Sequence, residues 1–196
     1  MVLIGDPKQA IYGFRGADIH TYLAARADTE GRLYTLGTNH RSSREMVDAV
    51  NHLFAAAEER PGPGAFLFRS EHGDPLPFLP VAARGRGERW QIENQDPPAL
   101  NAWCHHPRAT LGVSAYREAM ATACAAEVVR LLNLGREGQA GFAEEGSFAP
   151  LRPRDIAVLV NTGSEAFAVR QALRERGVRS VYLSDQSSVF HSPAAA

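Results

Sequence analysis

The chemistry-bearing residues of this chain begin with the run Gly5-Asp6-Pro7-Lys8-Gln9-Ala10-Ile11-Tyr12-Gly13-Phe14-Arg15-Gly16-Ala17-Asp18. A carboxamide (Gln9), two cations (Lys8, Arg15) and two aromatic rings (Tyr12, Phe14) fall within eight residues, and three glycines punctuate the run. A carboxamide can donate a hydrogen bond to a phosphate oxygen or orient an attacking water. Flat rings offer stacking faces to nucleic-acid bases, and a guanidinium binds a phosphate or a base edge. Taken singly, Tyr12 and Phe14 also read as core residues and the charges as the solvated part of a turn. The ordered set points instead to a nucleotide or nucleic-acid ligand.

A second stretch, Leu36-Gly37-Thr38-Asn39-His40-Arg41-Ser42-Ser43, leads from an apolar run into a helix. Arg41 stands just ahead of the expected helix N-terminus, where free backbone N–H groups and the helix dipole favour anions. From there an arginine can reach a nucleotide phosphate. The alternative is an exposed residue that merely flanks a helix cap.

The elements that must position these residues follow from pattern. Val2-Leu3-Ile4, closed by Gly5-Asp6-Pro7, reads as a buried strand ending in a turn, so the first stretch sits where open α/β sheets bind ligands, beyond a strand's carboxyl end. Ile19 to Ala27 reads as a short helix and Leu33 to Leu36 as a strand. Ser42 to Glu58 reads as a helix, with Ser42 or Ser43 as its cap and Met46, Val47, Val50, Leu53 and Phe54 on one face. Residues 60–112 are rich in Pro and Gly and read as an irregular, β-leaning excursion, with strand-like runs at Ala65–Phe68, Leu76–Val81 and Trp90–Ile92.

Ser114 to Asn133 reads as a long helix with Tyr116, Met120, Cys124, Val128 and Leu131 at helical spacing, which makes Cys124 a small core residue rather than a reactive thiol. Residues 135–150 read as a loop. Asp155 to Val160 is expected to be a buried strand, Ser164 to Arg176 an amphipathic helix stopped by Gly177, and Ser180 to Leu183 a further strand. Together they form a βαβ pattern of the kind found in parallel sheets. Ser192-Pro193 reads as the start of another helix. The unpartnered first strand and the interrupted last helix suggest a piece cut from a longer polypeptide.

Composition narrows the function classes. Apolar residues make up 44% of the 196 residues and charged residues 22%, the balance of a globular protein. With 21 basic and 22 acidic side chains the net charge is −1, which argues against binding nucleic acid by bulk charge, although a local basic groove remains open. Residues 151–179 hold six arginines against three acids, a local +3 that reads first as a solvated helix face. No run reaches the roughly 18 apolar residues of a membrane helix. Cys104 with His105-His106 lacks the spacing of a metal site, and two cysteines without disulfide spacing suit a reducing compartment, hence a cytoplasmic protein with no membrane partner.

Together the two stretches resemble motifs III and IV of the UvrD-like superfamily 1 DNA helicases, whose patterns run close to G-D-x-x-Q-x-I-Y-x-F/W-R-G-A and N-Y/W-R-S. Within that family, Asp6-Pro7-Lys8-Gln9, Arg15-Gly16-Ala17-Asp18, Ser180-Val181-Tyr182-Leu183-Ser184-Asp185 and Ser188-Val189-Phe190 are most similar to the exodeoxyribonuclease V beta subunits. The resemblance implies a partial P-loop NTPase fold, α/β, with a RecA-like parallel sheet and flanking helices. Residues 1–30 would end a first RecA-like motor domain and residues 31–196 would open a second, with the irregular segment near 60–112 inside it.

The resemblance also implies roles. Gln9 would sense the γ-phosphate of ATP. Tyr12 and Phe14, with Arg15, would lie against single-stranded DNA. His40, where the family usually has an aromatic ring, would stack on adenine, and Arg41 would act as an arginine finger. Asn161 stands where related subunits usually carry arginine, and no role is assigned to it. ATP and Mg²⁺ are the implied cofactors. The implied partners are single-stranded and duplex-end DNA and the gamma and alpha subunits of the exodeoxyribonuclease V complex, acting in double-strand break repair and recombination. No G-x-x-x-x-G-K-[ST] loop and no acidic strand before the first motif occur in the 196 residues, so the lysine and the Mg²⁺ ligands of an ATP site are expected elsewhere and the chain alone is expected to be inactive. Two other readings stay open: a UvrD- or Rep-like repair helicase without nuclease, and a nucleic-acid-binding module that hydrolyses nothing.

Overall fold

The computed structural model describes residues 4–7, 18–29, 31–104 and 110–183, in a mixed α/β chain of two compact units, Met1–Arg86 and Gly87–Ala196. The first unit contains α1 (Ile19–Asp28), β1 (Thr38–Asn39), α2 (Arg44–Glu58) and β2 (Ala82–Ala83). Asp18 caps α1: its carboxylate accepts from the backbone N–H of His20 (3.1 Å) and Thr21 (3.0 Å) and from the Thr21 hydroxyl (2.7 Å). That hydroxyl, ahead of the two N–H donors, holds the Asp18 carboxyl below the usual carboxylate range.

β1 and β2 pair in parallel, Thr38 with Ala82 and Asn39 with Ala83, and α2 lies in the connection between them. Parallel strands need such a crossover, because a tight hairpin cannot join them. Asn51 fixes the return of the chain from within α2. Its amide nitrogen donates to the Val81 carbonyl (2.9 Å), and its amide oxygen accepts from the Val81 N–H (3.2 Å). The side chain thereby supplies the backbone pairing that an adjacent strand would give. Val47 and Leu76 are buried in this unit, and Phe54, Phe66 and Phe78 close it as a ring cluster with centroids 5.5, 5.5 and 6.3 Å apart.

The far end of α2 is locked electrostatically. Glu58 accepts from the Ala65 backbone N–H (2.8 Å) and pairs with Arg69, whose guanidinium also donates to the Glu58 carbonyl (2.7 Å) and lies 3.6 Å from Asp74. The Ala65 N–H first, and then Arg69, hold the Glu58 carboxyl below the usual carboxylate range. A carboxyl depressed on folding stabilises the native state above its unfolded pKa, and that contribution is lost as pH falls through the folded value. Glu58→Gln should therefore lower stability at neutral pH and flatten the acid limb of thermal unfolding below about pH 4. A wild-type-like acid limb in this variant would show that the lock contributes nothing.

The second unit joins an antiparallel sheet to a helix pair. β3 (Arg89–Ile92), β4 (Ala140–Glu144) and β5 (Ser147–Pro150) pair in that order, with Trp90 opposite Phe142 and ring centroids 5.3 Å apart. α3 (Val113–Arg136) packs on α4 (Gly163–Glu175) through Ala121, Ala125, Val128, Ala172 and Leu173, with Cys124 at the edge of that core. Burial raises the Cys124 thiol pKa, the direction expected of a small core residue. Thr162 and Glu165 form a reciprocal capping box at the start of α4. At its end Gly177, at φ +76°, lets the Val178 N–H reach the Leu173 carbonyl (2.9 Å) and its own N–H reach Arg174 (3.0 Å).

Several strand expectations are overturned. Leu33–Leu36, Asp155–Val160 and Ser180–Leu183 form no ladder with any described residue, and Pro153–Asp155 is a single 3₁₀ turn. Tyr34, Leu36 and Leu159 are more than nine-tenths exposed, so the segment from Asp155 is not the buried strand its apolar run suggested. Among the described residues, the expected βαβ pattern around α4 is a helix between two segments without ladder partners. Conversely, the expected loop at 135–150 is the β4–β5 hairpin, turned by Glu145-Gly146 with Gly146 at φ +73°. On α3 Val128 is buried as expected, together with Ala121 and Ala125, whereas Tyr116 is half exposed. Among the described residues the parallel sheet has two strands, β1 and β2. Val2-Leu3 and Ser192-Pro193 lie outside the described residues.

Candidate nucleotide site at the β1–α2 junction

β1 delivers the chain to a tight turn immediately before α2. The side-chain oxygen of Asn39 accepts from two successive backbone N–H groups, Arg41 (2.9 Å) and Ser42 (2.9 Å), an Asx turn that reverses the chain. Ser43 then caps α2, its hydroxyl accepting from the Met46 N–H (3.3 Å). Of the two candidate caps, Ser43 is the one used. A cap of this kind stabilises a helix by about 1 kcal/mol and leaves the remaining first-turn N–H groups pointing outward.

This arrangement brings His40 and Arg41 together on the turn, both exposed, at the carboxyl end of a parallel strand and the amino end of a helix. Neither side chain bonds or pairs with another described residue. A solvated guanidinium beside a helix N-terminus can bind an anion, and the adjacent imidazole offers a flat face. β2 borders the same turn: the Arg84 N–H donates to the Asn39 carbonyl (2.9 Å), and Gly85 lies against Arg44, the first residue of α2. Asn39, Arg44 and Arg84 were not among the sequence candidates. For Asn39 the signal was present as Asn-x-x-Ser ahead of a helical pattern; for Arg84 there was none, because 45 residues separate it from its partner.

The remaining candidates, Gln9, Tyr12, Phe14 and Arg15, lie outside the described residues, as do Lys8 and His105-His106. Asp18, at the end of the first motif, is accounted for as the cap of α1. Asn161 donates its backbone N–H to Glu165 (2.8 Å), joining the start of α4. Among the described residues no group of three or more His, Cys, Asp or Glu side chains is placed to hold a metal ion, and no helix is long and apolar enough to cross a membrane.

Comparison with known proteins gives the same affiliation. Residues 1–30 match the UvrD/REP helicase N-terminal domain. Over 194 residues, 98% of the chain, it is 41% identical to the RecBCD enzyme subunit RecB of Escherichia coli K12. It is 37% identical to RecB of Haemophilus influenzae over 99% of its length, and 36% identical to RecB of Mycobacterium tuberculosis H37Rv over all of it. The matched region is 15–16% of each of these relatives, so the chain spans about one-sixth of their length.

Proposed function

Because this chain belongs to the UvrD-like helicase family and is similar along nearly its whole length to part of RecB, we propose that it forms the junction of two RecA-like motor domains in an ATP-dependent DNA helicase–nuclease subunit. Residues 1–30 close the first motor domain and residues 31–196 open the second. The observation that supports this reading most directly is the β1–α2 turn, which presents Arg41 exposed beside a helix N-terminus at the carboxyl end of a parallel strand.

ATP and Mg²⁺ supply the phosphoryl chemistry, and this chain provides the groups that sense and answer it. Arg41 meets the negative charge that spreads over the transferred phosphoryl group, and His40 stacks beside it on adenine. Gln9 orients toward the terminal phosphate, while Tyr12, Phe14 and Arg15 hold single-stranded DNA. An arginine that arrives only when the cleft closes couples hydrolysis to domain motion and so to translocation along the strand. The residues that bind Mg²⁺ and cradle the phosphates belong to the rest of the subunit. Its partners in double-strand break repair and recombination are DNA ends and the gamma and alpha subunits of an exodeoxyribonuclease V complex.

Assaying the full-length polypeptide beside the isolated chain tests this reading. DNA-stimulated ATP hydrolysis is expected from the first. None above background is expected from residues 1–196, because no phosphate-binding loop occurs in them. Turnover by the isolated chain would overturn the proposed division of the site.

A further inference from the structure

We propose that Asn39 is the positioning residue for Arg41, holding the finger at the height and direction set by the β1–β2 ladder. The inference rests on the nucleotide-site reading above. Three hydrogen bonds converge on this one half-buried residue. Its side-chain oxygen accepts the N–H groups of Arg41 and Ser42, each at 2.9 Å, and its carbonyl accepts the N–H of Arg84 at 2.9 Å. Its neighbours are pinned too, with Thr38 and Asn39 opposite Ala82 and Ala83, and with Ser43 two residues beyond Arg41 capping α2. The backbone of Arg41 is therefore fixed from both sides through Asn39, although its side chain is free among the described residues.

The chemistry of the position is selective. The carboxamide oxygen is one methylene from the backbone, the length an Asx turn requires. Glutamine is too long to close that ring, and alanine surrenders both acceptor contacts to water. An arginine finger acts only in the transition state, so an error of about 1 Å in its placement costs roughly tenfold to a hundredfold in rate while ground-state binding is spared.

DNA-stimulated ATP hydrolysis by the full-length enzyme tests the assignment, using Asn39→Ala, Asn39→Asp, Asn39→Ser and Arg41→Ala. Asn39→Ala is expected to lower kcat about tenfold or more with KM for ATP nearly unchanged. Asn39→Asp keeps the acceptor geometry and should recover most of the rate, with Asn39→Ser, a weaker turn former, in between. In an Arg41→Ala background Asn39→Ala should cost little more, since the group it positions is gone. Full activity in Asn39→Ala, recovery by neither Asp nor Ser, or losses that multiply in the double variant would each overturn the assignment. Should Asn39→Ala fail to fold, the order Asp above Ser decides, and equal rates for those two would overturn it. An Arg41→Ala enzyme that hydrolyses at the wild-type rate would sink the nucleotide-site reading itself. An impaired Arg41→Ala beside a fully active Asn39→Ala would sink only the role of Asn39.

Discussion

Arg41→Ala in the full-length enzyme is expected to reduce DNA-stimulated ATP hydrolysis by about 10³-fold or more, the range over which arginine fingers act. Binding of ATP should change far less, because the phosphoryl group carries its extra spread charge only in the transition state. Arg41→Lys should not restore the rate. A lysine keeps the charge but loses the planar fork that meets two oxygens at once. The geometry gives Arg41 no structural task among the described residues: it is exposed and pairs with none of them, so its removal leaves no described carboxylate unpartnered. Thermal unfolding of the variant should accordingly match wild type. A large loss of stability, or a rate within tenfold of wild type, would remove Arg41 from the reaction.

The largest stability effect is expected in the other unit, at Gly141. This residue lies in the middle strand of the three-stranded sheet, opposite Gln91 on one side and Pro150 on the other. A Cβ placed there would stand 2.2 Å from the Ala149 carbonyl oxygen, 2.8 Å from the Phe148 ring and 2.9 Å from the Pro150 Cα. Two of those neighbours are backbone, which a rotamer change cannot move aside. Gly141→Ala is therefore expected to destabilise the unit by about 3 kcal/mol, and Gly141→Val by more. In thermal unfolding the alanine variant should melt roughly 6–12 °C lower, on the scaling for chains of this size. Gly37→Ala is the matched control. Nothing lies within 4 Å of a Cβ there, and the change should stay within about 0.5 kcal/mol. Equal melting of the two variants would mean that β5 does not pack against Gly141.

The contrast between these two residues shows what could be read in advance. The turn around Arg41 was legible because its determinants are local: a short polar residue, a cap two positions after the arginine, and a 3.6-residue apolar period behind it. The same holds for α4, whose Thr162–Glu165 box and terminal Gly177 bracket a single helix. Gly141 was not legible as a close-packing position, since nothing within residues 135–150 announces that β5 folds back against it.

Helix faces fall between these cases. The period of α3 was correct and Val128 is buried as expected, but Ala121 and Ala125 share the buried side while the bulkier Tyr116 is half exposed. Small residues let α4 come close through Ala172 and Leu173, and only the partner helix decides which stripe is covered. The apolar runs at Leu33–Leu36 and Asp155–Val160 fail as strands for a related reason. A run of β-branched and aliphatic residues records a tendency to be extended and buried, while a strand exists only when another backbone supplies its hydrogen bonds.

The amino-acid order by itself therefore determined the helices, their caps, the two ordered motifs and the helicase affiliation they carry, all properties of residues close together along the chain. Tertiary structure alone decided that Asn39 would join Arg41 to Arg84, that Asn51 would stand in for a strand, and which extended segments would be paired. These depend on groups 30 to 45 residues apart, whose meeting is governed by packing and backbone satisfaction rather than by local preference.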